Sequence, residues 1–144
     1  MNKYRNLYLK IGFKVPVSNV MLELPAYFLV GWGQYKVGKS GPPSIKQKQA
    51  KLQVVSNEEC SNMNTVNMGI PVTDKMVCAG LGPNHVESGC HGDSGGPFVC
   101  RANDGVWTLQ GSVSWGSGVC KTSQGYTVFA RTNQFTDWIA QYVK

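Results

Sequence analysis

From residue 26 onward, short apolar or alternating runs are separated by glycine, proline and small polar residues. "AYFLVGW" (26–32) is an apolar run that ends in Gly31-Trp32-Gly33. In "KQKQAKLQVV" (46–55) polar and apolar positions alternate toward the end, which puts Leu52 and Val54 on one face of a strand. "GPFVC" (96–100), "VWTLQGSVSW" (106–115) and "YTVFAR" (126–131) are rich in β-formers and bounded by glycine or turn residues. The period changes twice. In "VSNEECSNM" (55–63), Ser56 stands three residues before Glu59, the spacing of a helix capping box. Near the C-terminus Phe135, Trp138, Ile139 and Tyr142 recur at helical spacing behind Thr132 and Asn133, either of which can cap. The pattern predicts an all-β, antiparallel barrel with a C-terminal α-helix whose apolar face docks on it.

Residues 1–25 fit this pattern poorly. They hold a basic-aromatic alternation and then "VPVSNVMLELP", with no strong pairing signal. The expected division is therefore an atypical N-terminal segment, 1–25, and one barrel, 26–144.

Composition narrows the class. At 144 residues, 42% hydrophobic and 15% charged, the chain is sized and composed for one folded domain rather than a disordered one. Its 17 glycines and 7 prolines favour turn-rich β structure over a helical bundle. The net charge of +6 raises the question of an anionic partner. The densest cluster, Lys46, Lys48 and Lys51, lies at roughly alternate positions beside a strand and reads as a solvated face, so no nucleic-acid partner is expected. "LPAYFLVGW" is too short to span a bilayer, and the basic N-terminus has no apolar core of the kind a secretory signal needs. No membrane association is expected.

"GCHGDSGGPFVC" (89–100) concentrates backbone freedom around one serine. A hydroxyl becomes a useful nucleophile only when a base takes its proton and donors stabilise the oxyanion that forms. Backbone N–H groups aimed at one point do the second task, and losing one such donor slows reactions of this kind roughly 100- to 1,000-fold. Aiming them requires unusual φ and ψ, which Gly92, Gly95 and Gly96 permit. Asp93, if buried, needs a cationic partner.

This segment resembles the active-site serine motif of the chymotrypsin/trypsin family of serine proteases. The likeness extends over 26–144 through "GWG" (31–33), "MVCAG" (76–80), "SVSWGSGVC" (112–120), "TVFAR" (127–131) and the terminal "DWIAQYV", all in the family's order. It implies the second of that family's two β-barrels, with the first barrel missing from this chain. It also implies Ser94 as nucleophile, the N–H groups of Gly92 and Ser94 as oxyanion hole, and Asp93 as the acid that pairs with a new N-terminal amine after activation. The nucleophile–base–acid logic is that of the family's general template.

The same resemblance places Ser88 at the base of the specificity pocket, Gly89, Gly116 and Thr127 on its walls, and His91 at its rim. Ser114, Trp115 and Gly116 are expected to pair with substrate backbone as an added strand. A serine at the base offers Lys or Arg no countercharge, and "CKTSQGYTVFAR" is closer to the elastase-like branch, so an apolar preference is implied. Protein or peptide substrates and protease inhibitors are the implied partners, an extracellular location is implied, and no cofactor is.

Of the five cysteines, the resemblance pairs Cys60 with Cys78 and Cys90 with Cys120, each bridge worth about 3–4 kcal/mol in the chain-entropy model. Cys100 is left unpaired, because the position that usually holds its partner, four residues ahead of Gly31, is Tyr27. His85, His91, Cys78 and Cys90 show no recognised ligand spacing, so no metal is expected.

The chain has two histidines, and neither stands in a motif like that of the family's general base. Asp74, Asp104 and Asp137 do not match the triad acid. The expectation is a serine endopeptidase represented by a fragment without the catalytic His and Asp, and therefore inactive alone. The other reading is a non-catalytic homologue that binds a protein or peptide.

Overall fold

The computed structural model describes residues 26–35, 41–101 and 105–143. The expected segment 1–25 and Asp104 lie outside them. Six strands form the barrel: β1 (Ala26–Gly31), β2 (Lys48–Val55), β3 (Met76–Gly80), β4 (Pro97–Arg101), β5 (Trp107–Trp115) and β6 (Thr127–Arg131). Helix α1 (Asn57–Met68) follows β2, and α2 (Thr136–Ala140) follows β6. The strands close in the order β1-β2-β3-β6-β5-β4, every neighbour antiparallel. Closure removes free sheet edges, and Pro97, which cannot donate to a ladder, takes the first position of β4.

The core follows from strand alternation. Leu29, Leu52, Val77, Ala79, Phe98 and Phe129 fill the barrel interior, with the Phe98 and Phe129 rings stacked at 4.2 Å. Each large side chain so buried contributes about 1.5–3 kcal/mol. On β3 and β6 the outward residues are buried as well, because α1 covers them: Cys78 and Val128 pack with Cys60 and Tyr126. A strand covered on both faces loses its alternation, which is why "MVCAG" carries no readable strand period.

Three details depart from the pattern-based reading. Leu52 is buried, but Val54 on the same face is 41% exposed next to the strand end. The C-terminal helix is one short turn preceded by a 3-10 turn at Thr132–Gln134, so Thr132 and Asn133 lie inside that turn and no side chain caps α2. The expected apolar face divides: Phe135 and Ile139 are half-buried, whereas Trp138 and Tyr142 are 60% and 70% exposed and pack on each other at 5.1 Å. By contrast the Ser56 half of the capping box at α1 forms, with Ser56 Oγ accepting the Glu59 N–H at 3.0 Å, while the Glu59 carboxylate accepts the Tyr126 hydroxyl. Lys46, Lys48 and Lys51 are exposed, as a solvated face should be.

Candidate active site

The loop between β3 and β4 carries the serine. Gly92 (φ 97°) and Gly95 (φ 76°) take the left-handed backbone that only glycine adopts freely, and they bend the chain on either side of Asp93-Ser94. The Gly96 N–H donates to the Asp93 carbonyl at 2.8 Å, and Gly95 N–H to Val113 O at 2.9 Å, tying the loop to β5. Ser94 is exposed. Among the described residues, no protein acceptor takes the N–H of Gly92 or of Ser94.

Asp93 is half-buried beside Ser94. Its Oδ1 accepts the Gly33 N–H at 2.8 Å and its Oδ2 the Cys90 N–H at 3.0 Å. This carboxylate explains "GWG". A Cβ on Gly31 would lie 2.0 Å from Asp93 Oδ1, and one on Gly33 2.4 Å from Oδ2.

Ser94 opens onto a cleft of about 250 Å³ whose lining includes Gly89, His91, Ser114, Trp115, Gly116 and Thr127. Strand β5 reaches it through a bulge. Its pairing with β6 runs Val113↔Phe129 and then Trp115↔Val128, leaving Ser114 as the extra residue, exposed at the cleft. Thr127 Oγ1 accepts the Gly89 N–H at 2.8 Å, and a Cβ on Gly89 would sit 2.9 Å from the Thr127 methyl. The absent Gly89 side chain therefore makes room for Thr127 rather than widening the cleft. His91 Nε2 lies 3.4 Å from the Gly118 carbonyl across the rim.

Ser88 is placed differently from the expectation. It borders a neighbouring cavity of about 320 Å³, which it shares with Asp93, Gly33 and Gln34. Ser88 Oγ and Gln34 Oε1 are both buried there with no hydrogen-bond partner among the described residues. Two long-range anchors account for it: Glu87 O accepts the Thr122 hydroxyl and Gly89 N–H donates to Thr127, so Ser88 is held between them. His85 is remote from this chemistry in its bonding, its Nδ1 standing 3.5 Å from Glu87 Oε2 on the surface.

The sulfur pattern agrees with the resemblance: Cys60–Cys78 and Cys90–Cys120 are bridged, and Cys100 is free and buried. Cys100 faces Tyr27 across β1 and β4, the position where a partner cysteine was expected to be missing. Burial raises the pKa of both groups, and the neighbouring thiol raises Tyr27 further. Among the described residues there is no cluster of metal-ligating side chains, and no helix is long and apolar enough to cross a membrane.

A trypsin-family sequence model matches residues 18–139. The chain belongs to the trypsin family of serine proteases. It is 43% identical over 142 aligned residues to proproteinase E of Bos taurus, covering 93% of this chain and 53% of that protein. It is 41% identical over 129 residues to chymotrypsin-like elastase family member 3B of Homo sapiens, covering 89% of this chain and 45% of the other. Among solved structures, neuropsin, a serine protease expressed in the limbic system of mouse brain, superposes with a TM-score of 0.66 at 30% identity, over 81% of this chain and 47% of neuropsin. The chain thus spans about half the length of the curated relatives it matches.

Asn64 and Thr122 were missed from sequence. Both are polar residues buried behind the cleft wall, and a lone Asn or Thr in a helix or turn carries no pattern that announces burial.

Proposed function

We propose that Ser94 is the nucleophile of a serine endopeptidase with an elastase- or chymotrypsin-like preference for apolar side chains. In this reading the chain supplies nucleophile, oxyanion hole and specificity cleft, while the histidine base and its orienting aspartate belong to a first barrel in the whole polypeptide. The observation that carries it is the serine loop: Ser94 exposed at a cleft, with the Gly92 and Ser94 N–H groups beside it taken by no acceptor among the described residues. Ser94 Oγ would attack the peptide carbonyl as the base removes its proton. The two N–H donors would hold the resulting oxyanion, and the returned proton would release the amine.

The cleft supports apolar selectivity. His91 is the one ionisable side chain among the residues that line it, since Cys90 and Cys120 are bonded to each other. Asp93 supports an activation step. Two neutral N–H groups now satisfy it, and a new N-terminal ammonium entering the adjoining cavity would offer stronger charge-assisted bonds. The orphaned Ser88 and Gln34 oxygens beside it, each costing about 1–3 kcal/mol, favour a rearrangement there. The two disulfides fit an extracellular, oxidising location.

The test is made on the polypeptide isolated from its source. Its mass should be well above 15.7 kDa, a fluorophosphonate should label Ser94, and a peptide library should be cut after Phe or Leu faster than after Arg. Faster cleavage after Arg would overturn the apolar preference. A second reading, a non-catalytic protein- or peptide-binding module, is favoured by the fact that His91 and His85 are both engaged away from Ser94. A native mass of 15.7 kDa without labelling would select it.

A further inference from the structure

The inner side of the cleft wall is held by a side chain that does not line the cleft. Asn64 on α1 is fully buried, and its amide mimics a strand neighbour for residue 126. Its Oδ1 accepts the Tyr126 N–H at 2.8 Å, and its Nδ2 donates to the Tyr126 carbonyl at 3.1 Å. The next residue is Thr127, which lines the cleft and whose hydroxyl holds Gly89 of the facing wall. Gly125 is fitted to this arrangement: at φ 148°, a Cβ there would stand 3.1 Å from Asn64 Oδ1 and 2.6 Å from the Met68 methyl. Helix α1 is itself fixed to β3 through Cys60–Cys78.

We infer that Asn64 is a positioning residue for substrate selection, setting the separation of the Gly89 and Thr127 walls and so the fit of the apolar side chain that precedes the scissile bond. This rests on the proteolytic reading of the cleft. The physical reason is the directness of the chain of bonds, Asn64 to Tyr126 backbone to Thr127 to Gly89, whose first three members are closed to bulk solvent. A buried backbone pair that loses its only side-chain partner relaxes toward another one, and the walls move with it.

The experiment uses the full native polypeptide with Asn64→Asp, which keeps the shape and the acceptor but turns an oxygen toward the Tyr126 carbonyl. The expected result is a fall of about tenfold in kcat/KM for peptides with Phe or Leu before the cleaved bond, carried by KM. Phosphonylation of Ser94 by a small methylphosphonate, which does not fill the cleft, should stay within about twofold. Glu59→Gln, which leaves both Asn64 bonds in place, should change neither. An equal loss across all peptides and in phosphonylation, or no loss, overturns the inference. Amide exchange in the unmutated protein gives a second reading that does not depend on the variant folding or on proteolysis. Gly89 and Tyr126 should exchange within about threefold of each other, as parts of one cooperative unit. Gly89 exchanging more than about tenfold faster would show the wall opening without Asn64 and overturn the inference. If the unmutated protein cuts no peptide, the proteolytic reading fails while exchange still decides the positioning role.

Discussion

A phenol buried against a carboxylate is harder to ionise than one in water, and Tyr126, 2% exposed with its hydroxyl 2.5 Å from Glu59 Oε1, is in that position. Burial, then the hydrogen bond to Glu59, then the Glu59 charge push its pKa up to about 12 from 10.0. The folded state therefore binds this proton more tightly than the unfolded state does. The resulting stability is fully present below pH 10 and is lost as pH rises toward 12. Tyr126→Phe should be less stable than the parent by about 1 kcal/mol at pH 8 and should close that gap above pH 10. Denaturant melts at several pH values check it, and parallel curves for the two proteins up to pH 11.5 would refute it. The glycines around Asp93 give a second residue-scale test. Gly31→Ala drives a Cβ into Asp93 Oδ1 and should lower stability by about 1–3 kcal/mol. Gly118→Ala meets nothing within 4 Å and should stay within about 0.5 kcal/mol in the same thermal melts. At this scale the serine loop was legible, because a run of glycines around a nucleophile is a local pattern. The placement of Ser88 was not, because the anchors on either side of it are Thr122 and Thr127, which are more than thirty residues away in sequence.

Strand pairing explains what Cys100 lacks. Tyr27 and Cys100 are opposite residues in the antiparallel β1–β4 ladder, and such pairs hold their Cα atoms about 4.5–5.5 Å apart, within the range a disulfide accepts. Tyr27→Cys should therefore oxidise to a third bridge without moving either strand. Closing a loop of roughly 70 residues stabilises by about 4 kcal/mol in the chain-entropy model. The lost Tyr27 ring, stacked on Phe98 at 5.7 Å, takes back part of that. Thiol titration of the unfolded, unreduced variant should find no free sulfhydryl, and one that persists would show that the register does not bring the pair together. The five strands predicted from alternation or apolar runs lie where that reading put them, since each keeps one face toward solvent or ends at a glycine turn. Strand β3 escaped the pattern because α1 and the barrel bury both its faces. The bulge at Ser114 escaped it too, since an extra residue shows only when the partner strand is known.

Amphipathic spacing reveals that a helix has an apolar face but not what that face meets, and the C-terminus shows the consequence for the whole molecule. Trp138, Tyr142 and Val143 stay 60%, 70% and 61% exposed, and Trp107 on β5 is 49% exposed. With Trp32, Tyr35, Ile45, Val54, Ile70 and Val86 they make ten large apolar side chains exposed among the described residues, and these favour association, because each contact that covers them gains about 25 cal/mol per Å² of apolar surface. The 144-residue chain, refolded with its disulfides formed, should therefore sediment as concentration-dependent oligomers at tens of micromolar and bind a hydrophobic dye strongly. The double variant Trp138→Glu, Tyr142→Lys should shift it toward monomer without lowering the melting temperature, because neither side chain contributes to the barrel core. Its charges add to a chain already at +6 without changing that net value, so a loss of association would report the apolar contact and not general repulsion. Association that persists in the variant would move the adhesive surface off the C-terminal turn and toward the other exposed apolar side chains, among them Trp32, Tyr35, Ile45 and Trp107. A parent chain that is monomeric and melts cooperatively would mean that this barrel tolerates its exposed aromatics alone, and would strengthen the binding-module reading of the cleft beside Ser94.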